Sequence, residues 1–257
     1  MAHNDKHAFD FTKLAIPSAD GSVAVDNTAW AQDEVTVRAY FGELSEHLIY
    51  HIQQSTFIVG CCAWLTHAGV IDALSRIDFG SQIVCQKEDF LRPDFRSGRQ
   101  FKNRLHSLYS SLKCHVDRHA CASVASIGEL STGMDEGQMD PVRCVGNHNS
   151  EKHPAWPRMH HKFVVFCGVE GCDKHSENEY CECDGYGTYG RRPVPLSVWT
   201  GSFNPTANGT RSRENAVVIE SRVIATAFFR EWFQMFALSE PLDWSSEWCA
   251  PEYRIGT

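Results

Sequence analysis

The run TFIVGCCAWL, Thr56 to Leu65, is apolar almost without interruption. It is too short to cross a bilayer, which takes ~18–20 such residues. It also lacks the alternation of a one-sided strand, so it reads as a strand covered on both faces. Val70, Ile71, Leu74 and Ile77 then recur at helical spacing, and SQIVC, Ser81 to Cys85, is a second buried strand. Strand, helix and strand in this order make a βαβ unit. The fold class that follows is α/β, with a mixed, largely parallel central sheet flanked by helices on both faces.

Upstream, Val35, Val37, Ala39 and Phe41 alternate with Thr36, Arg38 and Tyr40, a half-buried strand with its apolar side inward. Leu44, Leu48, Ile49 and Ile52 predict an amphipathic helix over roughly 43–54. Residues 1–34 carry weak periodicity and read as an N-terminal arm, leaving 35–257 as one catalytic-sized domain. Downstream, Lys87, Arg92, Arg96, Arg99, Lys102, Arg104, Lys113 and Arg118 make a basic stretch, helical over Phe101 to Leu112. It reads either as a solvated helix face or as a wall facing phosphates. Residues 122–140 look like loop. Strands follow at about 141–145, 160–167, 197–203 and 216–220, and an apolar-faced helix runs from Val223 to Phe233.

The chain has 257 residues, 42% of them hydrophobic and 22% charged, a composition that supports a large core and excludes wholesale disorder. A formal charge of −8 argues against coating nucleic acid through bulk charge, although a locally basic groove remains open. No membrane span and no secretory signal are legible, which points to a cytoplasmic protein. Its 11 cysteines then read as reduced thiols, metal ligands or both.

Chemistry concentrates in RMHHKFVVF, Arg158 to Phe166. On a strand, His160 and Lys162 share a face, and Met159, His161 and Phe163 take the other. A neutral imidazole can attack phosphorus while the ammonium balances the equatorial oxygens. Lys162 also lowers the pKa of His160 by like-charge repulsion. In VWTGSFN, Val198 to Asn204, Ser202 and Asn204 again share a face and offer donors to phosphate oxygens, and Gly201 admits close backbone approach. Glu214 opens the next strand, placed to bond the far nitrogen of His160 and fix its tautomer.

MHHK, then TGSFN, then the Glu of EN resemble the HxK, GSxN and E signature of the phospholipase D superfamily, and in particular its bacterial single-motif nucleases. The resemblance spans roughly residues 36–236. It implies a metal-independent phosphodiesterase, an endonuclease acting on DNA or RNA through a phosphohistidine intermediate. By position, His160 is the nucleophile, Lys162 and Asn204 bind phosphate, Ser202 supports it and Glu214 positions a histidine. Family members use two such motifs, yet of 13 histidines only His160 is followed two residues on by lysine. The resemblance therefore implies a homodimer with its active site at a two-fold interface. The motif's aspartate position holds Cys167, with Asp173 or Asp184 as spatial substitutes. A phospholipid or other small phosphodiester hydrolase, and a non-catalytic or partner-gated nucleic-acid-binding effector, are the alternatives.

Arg191, Arg192, Arg211 and Arg213 flank the motif and could funnel a polyanion, and Trp156, Trp199 and Phe203 could stack bases. Between the motif halves lies a Cys/His-rich insertion, 167–195. Its Cys172, His175, Cys181 and Cys183 have spacings that suit a structural zinc, whereas catalysis needs no cofactor. The insertion is also where a regulatory protein partner would act. Cys114, His115, His119 and Cys121 read as incidental, Cys61 and Cys62 as core, and His148 and His153 as residues near the cleft.

Overall fold

The computed structural model describes residues 16–17, 23–24, 29, 31, 34–92, 99–128, 130–131, 137–150, 157–174, 181, 183, 185–186, 190–248 and 250–255. A short hairpin of β1 (Ile16–Pro17) and β2 (Val23–Ala24) precedes the main body. Then follow β3 (Thr36–Tyr40), α1 (Leu44–Gln53), β4 (Phe57–Cys62), α2 (Ala68–Ser75) and β5 (Ser81–Gln86). Next come α3 (Arg99–Tyr109), α4 (Arg118–Ala125), β6 (Leu130–Ser131) and β7 (Val142–Val145). The chain closes with β8 (Lys162–Gly171), β9 (Arg191–Gly201), β10 (Ala216–Glu220), α5 (Arg222–Ala237) and β11 (Arg254–Ile255).

Seven strands form one mixed sheet in the order β3-β10-β9-β8-β4-β5-β7. Strand β4, buried along its whole length, lies near the centre and sorts its residues by parity. Phe57, Val59 and Cys61 face α4 and α5, together with Phe163, Val165, Phe229, Trp232 and Phe233. Ile58 and Cys62 face α1, α2 and α3, together with Val164, Phe166, Leu48, Val70 and Leu105. Helices thus cover both faces, as the unbroken apolar run requires, and each fully buried large side chain contributes roughly 1.5–3 kcal/mol. Trp232 places its indole N–H on Gln82 Oε1 at 2.6 Å, so this bulky core residue leaves no orphan donor.

Parallel pairing is confined to β4–β5 and β5–β7. The other four neighbours run antiparallel, because after β7 the chain returns through the long β8–β9 hairpin and not through further crossover helices. Strand β3 corrects a second expectation. It is an edge strand whose apolar alternation faces outward, with Val37 57% exposed. Tyr40 turns inward instead and stacks on Trp199, and Arg38 pairs with Glu220. Residues 118–125 are helical where loop was expected from 122, with Asp117 capping the first turn through its bond from the His119 N–H.

The basic stretch is not one surface. Lys87 is fully buried; its ammonium donates to the carbonyls of Ser246 and Trp248 and pairs with Glu240. Arg118 is buried on the Leu130 carbonyl, and Lys102 is buried too. Lys87 holds the C-terminal segment and Arg118 holds β6, and buried cations do not form a phosphate-facing wall. Arg143 does similar work, bridging Asp140, Ser239 and Glu252.

Candidate active site

The approach to His160 is pinned before the strand begins. Gln86, buried at the carboxyl end of β5, accepts the Met159 N–H on Oε1 at 2.7 Å. Its amide nitrogen donates to the carbonyls of Lys87 and Asn147. The Asn147 amide in turn donates to the Pro157 carbonyl at 3.3 Å. Ala63 N–H bonds the His161 carbonyl, extending the β4–β8 ladder past its last strand residues. With Met159 buried and this backbone held, His160 is left exposed at the end of the sheet, where the carboxyl ends of β4 and β5 also emerge.

Lys162 is the first residue of β8 and donates from Nζ to the His160 carbonyl at 2.8 Å. Trp64 meets the His160 ring edge-on at 5.8 Å and is itself held by an N–H bond to Glu88 at 3.0 Å. His161 turns to the opposite face and contacts Glu231 of α5 at 2.9 Å.

The second wall is the turn after β9. Thr66 and His67 N–H groups both bond the Pro205 carbonyl, at 2.9 and 2.8 Å, fastening this turn to the β4–α2 connection. Ser202 and Asn215 are clamped together by two bonds of 3.0 Å: Ser202 N–H to the Asn215 carbonyl, and Asn215 N–H to Ser202 Oγ. A Cβ on Gly201 would stand 2.3 Å from the Asn215 carbonyl oxygen, and one on Gly209 would stand 2.2 Å from that of Asn204. Glycine is required at both positions for β10 and the loop to close on the turn. Asn204 keeps its side-chain oxygen buried with no hydrogen-bond partner among the described residues.

Burial lowers the pKa of His160, and Lys162, Arg158 and His161 lower it further. The imidazole is therefore neutral at pH 7. Lys162 is also lowered by burial, with Cys62 and Glu214 acting in the opposite direction. Burial pushes the Cys62 thiol up to about 12, so it carries no charge at neutral pH, and the Glu214 carboxylate is the charge that opposes the lowering of Lys162. Among the described residues Glu214 thus acts on Lys162, whereas its expected bond to His160 is not formed within one chain. Of the two adjacent histidines it is His161, bound to Glu231, that holds a carboxylate.

His160, Lys162, Ser202, Asn204 and Glu214 come to one end of the sheet. Arg211 and Arg213 lie exposed in the loop between Asn204 and Glu214. Arg191 and Arg192 do not reach this end. They pair with Gly171 and Glu170 at the opposite tip of the β8–β9 hairpin, about 30 Å away by strand rise. Asp173 lies beyond that same tip and cannot replace the motif aspartate, and Asp184 falls outside the described residues. Cys167 is buried in the core, where its carbonyl accepts from Thr56. Trp199 is 2% exposed and stacked on Tyr40, and Phe203 is equally buried, so neither is a base-stacking surface. His148 is buried between Asp89 and Trp244. Trp156 and His153 fall outside the described residues.

Residues not anticipated from sequence are Trp64, Gln86 and Asn147. The legible signal was polar or aromatic side chains at the carboxyl ends of buried strands, where an all-apolar segment has no packing reason to carry them. At the opposite tip, the sulfurs of Cys172, Cys181 and Cys183 lie within 4.8 Å of one another, whereas His175 falls outside the described residues. No described helix is long and apolar enough to cross a membrane.

No family model matches the chain. It is 29% identical over 220 residues to the uncharacterised protein L381 of Acanthamoeba polyphaga mimivirus, covering 82% of this chain and 69% of that protein. Among solved structures it is similar to Nuc, a phospholipase D family member from Salmonella typhimurium, with a TM-score of 0.41 and 16% identity over 80% of this chain and 97% of the other. It is also similar to NucT from Helicobacter pylori, with a TM-score of 0.38 and 11% identity over 79% of this chain and 98% of the other.

Proposed function

We propose that the protein is a metal-independent phosphodiesterase that cleaves nucleic acid as a homodimer. One observation carries this reading: a neutral, exposed His160 stands beside Lys162 at a sheet end that also carries Ser202, Asn204 and Glu214. In the proposed reaction the imidazole lone pair attacks phosphorus and the P–O bond to the leaving oxygen breaks. Lys162 and the Asn204 amide hold the non-bridging oxygens, and Ser202, already accepting from Asn215, still has its O–H to donate. The leaving oxygen takes a proton from the second copy's His160, whose lowered pKa makes it a ready donor once charged. That imidazole then removes a proton from water, the hydroxide attacks the phosphohistidine, and the P–N bond breaks to restore neutral His160. Arg158, Arg211 and Arg213 supply a local cationic rim on an otherwise acidic chain.

The test is cleavage of plasmid DNA and single-stranded RNA in EDTA at low salt, with His160→Ala alongside and the mass of the protein measured in solution. Cleavage by a wild-type dimer and none by the variant is expected. Equal cleavage by both removes His160 as nucleophile. Hydrolysis of a phospholipid vesicle with no nucleic-acid cleavage replaces the substrate class.

A further inference from the structure

We infer that Cys172, Cys181 and Cys183 form a structural zinc site that staples the β8–β9 hairpin at the tip opposite the catalytic residues. All three sulfurs lie within 4.8 Å of one another. A tetrahedral zinc at about 2.3 Å from each thiolate requires sulfur separations of about 3.8 Å, so the widest pair needs to close by roughly 1 Å.

The burial pattern is the second observation. Along β8 the side chains pass from buried at Phe163–Cys167 to exposed at Glu170 and Gly171, where the helical layers end. Cys172 and Cys181 lie beyond that limit and outside both hydrophobic clusters, yet they are only 8% and 6% exposed. The backbone frame around them is preset. Cys172 N–H bonds the Gly190 carbonyl at 2.7 Å, and Tyr186 N–H bonds the Cys183 carbonyl at 3.2 Å. Gly190 has a φ of +65, and a Cβ there would press to 3.2 Å from Cys172 Cβ and 3.5 Å from Cys181 Cβ. Among the described residues, backbone hydrogen bonds and Gly190 thus set the frame that brings the cysteines together.

Three thiolates are a soft donor set that suits zinc. Binding forms three Zn–S bonds and releases three protons to solvent, and a neutral donor completes the tetrahedron. The ion closes the connection between β8 and β9, about 30 Å by strand rise from Lys162, and takes no part in phosphoryl chemistry.

The experiment measures zinc by mass spectrometry in the full-length protein after gel filtration, with Cys172→Ser and Cys183→Ser alongside. About one zinc per chain in the wild type and a loss of at least ten-fold in each folded variant are expected. Should a variant fail to fold, titrating the wild type with an organomercurial must release zinc in step with thiol modification. Cobalt substitution must also give sulfur-to-metal charge-transfer absorption. Wild-type protein with no zinc overturns the inference, whether its three thiols titrate freely or two are found as a disulfide. Unchanged zinc in both serine variants overturns it equally.

Discussion

Gln86→Leu tests whether the catalytic histidine is positioned by the end of a neighbouring buried strand. Gln86 is 2% exposed and makes three hydrogen bonds: it accepts from Met159 N–H at 2.7 Å and donates to the carbonyls of Asn147 at 2.9 Å and Lys87 at 3.1 Å. Leucine fills similar volume but leaves these groups without that partner. A buried polar group stripped of its bond costs about 1–3 kcal/mol, and partial relaxation of three such groups gives a loss of about 3–6 kcal/mol. That is a large part of the usual ~5–15 kcal/mol of a domain. The same bond fixes the backbone one residue before His160, and a displacement of about 1 Å at a reacting group lowers rates by roughly 100-fold. Urea unfolding gives the first number, and cleavage kinetics below the unfolding transition give the second. The expected pattern is a lower midpoint, with a fall in kcat exceeding any rise in KM. A Gln86→Leu protein within about 0.5 kcal/mol of wild type, with wild-type kcat, would refute the argument.

Lys162→Met should raise the His160 pKa toward its ordinary value, read from the imidazole proton shifts by NMR; no change or a further drop would show that Lys162 does not lower it. Because that pKa is lowered in the folded protein, the unfolded state binds the extra proton more readily. Stability should decline as pH falls below about 6.5 and level off below the folded pKa, which a pH series of unfolding midpoints checks, whereas cleavage, which needs one His160 neutral and the other charged, should pass through a maximum and fall on either side. Trp199→Ala should destabilise the fold by about 3–5 kcal/mol through cavity formation, while nucleic-acid affinity of the remaining folded protein stays unchanged. A selective loss of affinity in fluorescence titrations would restore it as a base-stacking residue. Arg211→Ser and Arg213→Ser should each weaken binding and reduce the salt slope by about 1, whereas Arg192→Ser, at the far tip, should do neither.

The sequence by itself determined that β4 is buried on both faces, because an unbroken apolar run has no other place to go, and hence that helices lie on both sides of the sheet. It also put His160 beside Lys162, and Ser202 beside Asn204, because residues two apart on an extended chain share a face whatever the surroundings. Long-range pairing was beyond local pattern. The alternation of Val37, Ala39 and Phe41 says that one face is apolar but not that β3 sits at an edge where no helix covers it. Trp199 and Arg191 stand in the same strand, close in sequence to the motif, yet one is core and the other a strand's length away, because register against β8 decides each location. Gln86 and Asn147 gained their importance only when β5 and β7 brought their carboxyl ends to the chain that precedes β8. The sequence carried the reacting groups; the tertiary structure decided which neighbours hold them, since hydrogen bonds between distant segments depend on register and layer contacts that no local periodicity encodes.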